Sequence, residues 1–570
     1  MKRLLATAAT LATLATSVGA CTSDTETPDE VSGAPALDAS DSATCPPELD
    51  EAFGAWAEAG FSGTIAVVTP GEPDCLAAYG TADAATGAPN TVGTVFAIGS
   101  VSKAFTAAAV YALVDDGTLA PTDRAGDLVP GLVGSAADAT VEQLLLHTAG
   151  LTGDHGADHQ PLYHDEAVAA IGGLPQAFPP GTDHLYSNAG YTLLALIVEE
   201  ASGTDYREFV ATRVLALPGG EVAGGFWDGA PPADGPRAVG VLDDGSAGQA
   251  GDFAGPHWAM AGNGDLAMTT RDLAVWTDAL FTGKIVSPSS AAAIAAPGVD
   301  HGDGSAETPG WVALDASVLG EPVLAAAGGG GDTGQDAVVA WLPESERVLA
   351  MAANTPDVRA EDLLRAVGPA LVAGEVPPPP DIPGGEGDPA ELAAREGTYT
   401  LADGGSFEVT AHEDGLEVVA SGPAAVTALF PLPGDITADA TAHEDEVRSL
   451  LAGDSDEGRE EREAVESDLG PIEEVEVVGT IVEDGELRTY VTITAGGEAV
   501  SGWYALDEQG GIAAVDLGAG PPALVVAPAG GGTFRPVDPT GRAPAVTVEF
   551  GDGTLTAAGP AGTTTASLSG

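Results

Sequence analysis

Lysine is almost absent from this 570-residue chain: Lys2, Lys103 and Lys284 are the whole complement. Lysine and arginine together total 19 against 86 acidic residues, a formal charge of −67. A surface so short of positive charge repels phosphate backbones and anionic headgroups, which excludes nucleic acid and anionic lipid as partners. The same charge keeps the chain soluble at a cost in self-repulsion, and salt would screen that repulsion, so a saline habitat suits it. Cysteine is scarce too, confined to Cys21, Cys45 and Cys75. Past the leader, no apolar run is long enough to span a bilayer, and there is no internal repeat.

What is present supports folded domains. The length predicts two or three of them, and an apolar fraction of 44% is enough to build cores. The 78 glycines and 42 prolines imply many turns and at least one linker. Residues 1–20 read as a signal peptide: Lys2 and Arg3 precede a small-residue apolar core from Leu4 to Val18. The core ends Val18-Gly19-Ala20-Cys21, which resembles a bacterial lipobox. That resemblance implies cleavage before Cys21 and lipidation of its thiol, so the chain would sit outside the cell on a lipid anchor, or be secreted if Cys21 stays bare. Cys45 and Cys75 then remain as a candidate disulfide pair in an oxidising compartment.

Residues 21–45 are rich in Ser, Thr, Asp, Pro and Ala and read as a flexible acidic tether. From 46 to 375 the patterning is mixed. Leu49, Phe53 and Trp56 fall at helical spacing, Gly63 to Thr69 forms an apolar strand, and strands are expected over Val338 to Leu342 and Val348 to Ala352. Leu363, Leu364, Val367 and Leu371 mark a closing helix over Glu361 to Val372. Strands at both ends with helices between predict an α/β (α+β) domain whose antiparallel sheet is flanked by helices. A Pro/Gly linker over 376–390 follows. Short strands with Gly or Asp turns then predict a second, all-β, barrel-like domain over 391–570, with an acidic insertion at about 436–475 that reads as a solvated helix or loop.

The candidate chemistry lies in the first domain. Ser100-Val101-Ser102-Lys103 opens an apolar helical stretch running to Asp115. A helix start offers unpaired N–H groups and positive dipole to an oxyanion. Ser100 and Lys103, three residues apart, share a helical face, so the amine reaches the hydroxyl. Burial in that helix should lower the lysine pKa and fit it for proton transfer, the requirement of a Ser–Lys nucleophile. The structural alternative makes Ser100 a cap and Lys103 a surface residue; lysine disfavours a helix start, and this chain avoids it elsewhere. Tyr186-Ser187-Asn188 follows a Pro-Pro-Gly turn and precedes a second apolar helix. A tyrosine there could exchange protons with Ser100, and Asn188 could hold a substrate amide.

Three motifs in series, Phe96-Ala97-Ile98-Gly99-Ser100-Val101-Ser102-Lys103, Leu144-Leu145-Leu146-His147-Thr148-Ala149-Gly150-Leu151 and Tyr186-Ser187-Asn188-Ala189-Gly190-Tyr191, closely resemble the class C β-lactamase and D-Ala-D-Ala carboxypeptidase superfamily. The resemblance spans about Glu51 to Gly374. It implies a β-lactamase/transpeptidase-like domain with Ser100 acylation, Lys103 and Tyr186 as proton handlers, Asn188 on the substrate, and a structural His147. The C-terminal domain resembles the lipocalin-like barrel often appended to such hydrolases.

One departure stands out. Where the family carries Lys-Thr-Gly or His-x-Gly on an edge strand, this chain has Ala326-Ala327-Gly328-Gly329-Gly330-Gly331-Asp332-Thr333-Gly334. The backbone near Gly330 and Gly331 could still line an oxyanion hole, but the cation that meets a substrate carboxylate is missing. His155 and His159 are four apart, yet Gly150 to Gly156 holds three glycines and reads as a loop, so neither a zinc motif nor any cofactor is expected. The reading is a serine hydrolase acting through a Ser100 acyl-enzyme on an ester or amide small molecule or peptide, of esterase, D,D-peptidase or β-lactamase type. Its rival is a non-catalytic cell-envelope binding protein that keeps the fold.

Overall fold

The computed structural model describes residues 44–569, apart from short gaps at 70–71, 243–244, 250–254, 330–332, 384–386, 403, 413–414, 434–435, 484–485 and 507–509. The lipobox Cys21 and the glycines Gly330 and Gly331 lie outside the described residues.

The first domain is built on one eight-stranded antiparallel sheet. Its elements are α1 (Pro47–Glu58), β1 (Gly63–Thr69), β2 (Glu72–Tyr79), α2 (Ser102–Asp115), α3 (Asn188–Ser202), α4 (Thr270–Phe281), β3 (Val299–Asp300), β4 (Ser305–Thr308), β5 (Trp311–Leu314), β6 (Val323–Gly329), β7 (Asp336–Leu342), β8 (Arg347–Ala353) and α5 (Ala360–Ala373), with shorter pieces between. The strand order is β2-β1-β8-β7-β6-β5-β4-β3. The N-terminal hairpin thus pairs with the domain's last strand, Ile65 opposite Met351, which brings the two ends of the domain together in the sheet.

Both faces of the central strands are covered, because successive side chains point opposite ways. Ile65, Val67, Leu349 and Met351 pack with Phe53 and Trp56 of α1 and with Leu363 and Val367 of α5. Their neighbours Ala66, Val68, Val348, Ala350 and Ala352 face the helical side, in one core with α2, α3 and α4. Phe105 of α2 stacks on Trp276 of α4 at a centroid distance of 3.6 Å. The sulfurs of Cys45 and Cys75 are bonded, with Cα atoms 4.1 Å apart, which pins the segment before α1 to β2.

Beyond the proline-rich linker a closed eight-stranded barrel follows, formed by β9 (Gly397–Thr400), β10 (Ser406–Ala411), β11 (Leu416–Ser421), β16 (Ala523–Gly530), β17 (Thr533–Pro536), β18 (Thr547–Gly551), β19 (Thr554–Gly559) and β20 (Gly562–Leu568). Tyr399 pairs with Leu568 to close it. Between β11 and β16 the chain leaves the barrel. It forms α6 (Pro423–Leu429), α7 (Thr437–Ala452) and α8 (Asp456–Leu469), then a separate meander of β12 (Ile472–Glu483), β13 (Glu486–Ala495), β14 (Glu498–Leu506) and β15 (Ile512–Leu517). The excursion is larger than its acidic stretch. Its helices are not simply solvated either: Val447, Leu450, Leu451 and Val465 are buried against Val477, Val491 and Tyr504 of the meander. The strand at Leu487 to Ile493 belongs to this meander and not to the barrel; alternation marks a half-buried strand without saying which sheet it joins. Contacts tie the second half to the first, with Trp56 Nε1 donating to the Pro378 carbonyl at 3.0 Å and Arg542 to Asp362 at 2.9 Å.

Candidate active site

Ser100 sits in a one-turn 3-10 segment, Gly99–Val101, that leads directly into α2. The turn is pressed against the end of β6. A β-carbon on Gly328 would clash with the Ser100 and Val101 amides, and one on Gly99, whose φ is +48°, would meet the Gly329 backbone. Glycine is required on both sides of this approach. The glycine run thus has a use that its missing side chains concealed, because it lets the sheet edge reach the Ser100 backbone.

Tyr186 and Asn188 flank Ser187, which caps α3 by accepting from the Gly190 amide at 3.3 Å. His147 holds this turn. Its Nδ1 accepts from the Ser187 amide at 3.1 Å, its carbonyl accepts from Leu185 at 2.9 Å, and its ring lies against Tyr186 at 4.6 Å and Tyr191 at 5.0 Å. Burial, with Lys103 second, holds the His147 imidazole well below its usual pKa, so it is neutral. It touches Tyr186 and Ser187 but neither Ser100 nor Lys103 by hydrogen bond, and so acts as a positioning residue.

The fold brings Ser100, Lys103, Tyr186 and Asn188 together. Lys103 Nζ lies 2.9 Å from Ser100 Oγ, 2.8 Å from Asn188 Oδ1 and 3.1 Å from the carbonyl oxygen of Asn263. Tyr186 donates its hydroxyl to Ser100 Oγ at 2.7 Å. Lys103 is 3% exposed; burial pulls its pKa down to about 7, against the opposing pull of Asp158 and Glu307. Tyr186 goes the other way, pushed up to about 12 by loss of water around it, with its bond to Ser100 opposing. Accessible surface makes Tyr186 half-exposed as a residue, whereas its hydroxyl faces Ser100, so the upward direction is the one that governs the phenol. Near neutral pH the tyrosine is a phenol, and the lysine is the group that can be uncharged.

Asn263 had no mark in the sequence. It sits in the loop before the short strand Leu266–Met268 and is fixed from below, its Nδ2 donating to Thr192 of α3 at 2.9 Å and to the Ala259 carbonyl at 3.0 Å. The only signal for it was the Asn-Gly pair, which marks a turn and nothing more. Two residues on, Asp265 forms a buried ion pair with Arg207 at 2.9 Å. Arg207 in turn lies over the Phe226 ring at 4.5 Å.

His147, His155, His159 and His164, close together in sequence, form no metal-type group of three among the described residues. His155 bonds the Trp258 carbonyl at 3.1 Å inside the protein, while His164 faces Glu199 and Glu200 at the end of α3. Instead His147, His184 and His301, remote in sequence, surround the buried carboxylate of Glu307 at 3.9, 3.5 and 3.5 Å.

A sheet-and-helix domain with a serine, a lysine of lowered pKa and a tyrosine meeting at one oxygen defines a serine hydrolase of the acyl-transfer type. Residues 51–372, more than half the chain, match the family model described as Beta-lactamase, and the chain belongs to that family. A penicillin-binding protein of Bacillus subtilis (strain 168) is 24% identical over 421 residues, 69% of this chain and 92% of its own. A teichoic acid D-alanine hydrolase of Staphylococcus aureus (strain MRSA252) is 30% identical over 158 residues, 27% of this chain and 38% of that one. The solved octameric penicillin-binding protein homologue from Pyrococcus abyssi covers 83% of this chain and 98% of its own at 19% identity, with a TM-score of 0.50, a likeness of fold.

Proposed function

We propose that Ser100 is the nucleophile of an extracytoplasmic hydrolase, with Lys103 as its proton acceptor and Tyr186 as its proton donor. One observation carries this. Of the three partners around Lys103 Nζ, Asn188 Oδ1 and the Asn263 carbonyl can only accept. A neutral amine spends its two N–H groups on them and is left with its lone pair facing Ser100 Oγ. Tyr186 donates to the same oxygen from the other side, so the serine proton is directed at the lysine.

In the forward step Ser100 Oγ attacks the substrate carbonyl as its proton passes to Nζ. The developing oxyanion rests against the Ser100 amide and the backbone at the end of β6, where Gly330 and Gly331 follow Gly329 in sequence. Collapse expels the leaving group with a proton relayed through Lys103 and Tyr186, and water then cleaves the acyl ester with the roles reversed. The amide of Asn188 supports the acyl group.

The substrate is an ester or amide whose acyl part is neutral or cationic. No lysine or histidine replaces the family's third-motif cation, and Asp158 and Glu307 both bear on Lys103, so a carboxylate would meet negative potential. The name of the staphylococcal relative, a D-alanine hydrolase of teichoic acid, supports an aminoacyl group over a terminal carboxylate. Residues 21–45 would tether the domain to a lipid on Cys21; among the described residues no helix is long and apolar enough to cross a membrane.

The test compares turnover of an uncharged nitrophenyl ester, a chromogenic cephalosporin and a peptide ending in D-Ala-D-Ala. Ester turnover that disappears in Ser100→Ala, with weak action on the two carboxylates, is the expected result. Preference for the D-Ala-D-Ala peptide would overturn the substrate class, and ester turnover surviving in Ser100→Ala would overturn the nucleophile.

A further inference from the structure

We propose that His184, His301 and Glu307 form a binding site for a first-row divalent transition metal of the zinc type, made of residues distinct from those of acyl transfer. Each of the three residues offers one ligand atom, and the three atoms lie within 4.8 Å of one another. Both imidazole nitrogens are 3.5 Å from the same carboxylate oxygen. Ligands of a tetrahedral zinc, each about 2.0–2.2 Å from the metal, stand roughly 3.3–3.6 Å apart, so small side-chain adjustments would close the cluster on an ion. Among the described residues no other group of three histidine, cysteine or carboxylate side chains approaches this closely.

Several independent features point the same way. His184 Nε2 is buried and makes no hydrogen bond, an arrangement that costs free energy unless something else satisfies the nitrogen. Glu307 is buried at 8% exposure and faces three imidazoles with no lysine or arginine ion pair of its own among the described residues. His147 supplies a second layer. Because its Nδ1 accepts from the Ser187 amide, its neutral tautomer carries the proton on Nε2, which faces Glu307 Oε1 at 3.9 Å. That leaves Oε2 for the metal, with His147 beside the other oxygen in the place that supporting residues take behind metal ligands. The His184 and His301 side chains keep 24% and 27% of their surface exposed, which gives an ion a way in and leaves room for a water. Two histidines and one carboxylate with an open position suit zinc and disfavour calcium and magnesium, which want oxygen. A chain with charge −67 also draws cations to its surface.

The ion would fasten the loop carrying His184, two residues before Tyr186, to the hairpin of β3 and β4 that carries His301 and Glu307. It is a clamp at the rim of the site.

The experiment uses the full chain stripped with chelator. Zinc is titrated calorimetrically in high salt with excess calcium, so that the 86 acidic side chains do not contribute weak sites, and cobalt is added separately and followed by visible absorption. The expected result is one zinc per chain, a rise in Tm with zinc, and an intense cobalt spectrum of low coordination number. His301→Ala, at an exposed turn where folding is not at stake, and His184→Ala should each weaken zinc by at least about 10-fold and abolish the cobalt spectrum. Absence of stoichiometric zinc binding, or affinity unchanged in both variants, would overturn the site. Neither readout involves hydrolysis, so failure here leaves the Ser100 reading untouched.

Discussion

Lys103 Nζ and Ser100 Oγ stand 2.9 Å apart, and the lysine's other two hydrogen-bond partners are both pure acceptors. Burial lowers the lysine's pKa to about 7, so it can lose its proton in the neutral range, which makes the pair testable through pH.

The first prediction concerns the rate profile. Ester turnover, as kcat/KM, should rise with pH through an ionisation near 7 as Lys103 loses its proton, and show no alkaline fall before about 12, where Tyr186 titrates. Asn188→Asp sets a carboxylate beside the amine, which favours the charged lysine and should move the rising limb to the alkaline side by about one to three pH units. An unmoved limb would mean that some other group sets it.

Tyr186→Phe keeps the ring against His147 and removes only the donor to Ser100 Oγ. Turnover should fall by about 100- to 10,000-fold with little change in Tm, since the ring keeps its packing and only one hydrogen bond is lost. A fall below tenfold would reduce Tyr186 to a wall of the site.

Stability should carry the signature of the same lysine. Its folded-state pKa of about 7 lies below the ordinary 10.5, so between those values the unfolded chain binds more protons and stability rises with pH. Below about 7 both states are protonated and this contribution is flat, at its most unfavourable. Lys103→Met should therefore be inactive, yet more stable than the parent at pH 7, and should lose the slope between pH 7 and 10.5 in denaturant unfolding. An unchanged slope would mean the lysine is not desolvated.

Beneath the site, Arg207 and Asp265 form the buried pair that steadies the Asn263 loop. Burial raises the Asp265 pKa and Arg207 opposes it. Asp265→Ala leaves the guanidinium without its partner and should cost about 3–5 kcal/mol, read as a lower denaturation midpoint, with turnover reduced as the Asn263 carbonyl shifts. Loss well below that range would show that the loop holds its place without the pair.

The sequence showed what neighbours in the chain decide. Ser100 with Lys103, and Tyr186 with Asn188, are each set within one turn at a helix start, so local spacing was enough to pick them out. The strands at 63–69, 338–342 and 348–352 could be read because both faces are apolar and turns bound them. What came from distance could not be read. Asn263 reaches Lys103 across 160 positions as a backbone carbonyl, a group that every residue has. His184, His301 and Glu307 meet only because the β3–β4 hairpin folds over the loop before α3, whereas the spacing singles out His155 and His159, which join no such group among the described residues. The glycine run looked like a deletion of chemistry, and the close approach of β6 to the Ser100 turn shows that its lack of side chains is itself the requirement. The meander inserted in the barrel was hidden because its strands alternate just as barrel strands do.

The central claim is that Ser100 carries the acyl group, and the most direct measurement is the mass of the trapped intermediate. Purified protein treated with a fluorophosphonate, and separately with a slowly deacylating ester, should gain one adduct per chain, and peptide mapping should place it on Ser100. Lys103→Met should slow its formation and Ser100→Ala should abolish it. An adduct on another residue, or labelling that survives in Ser100→Ala, would contradict the account.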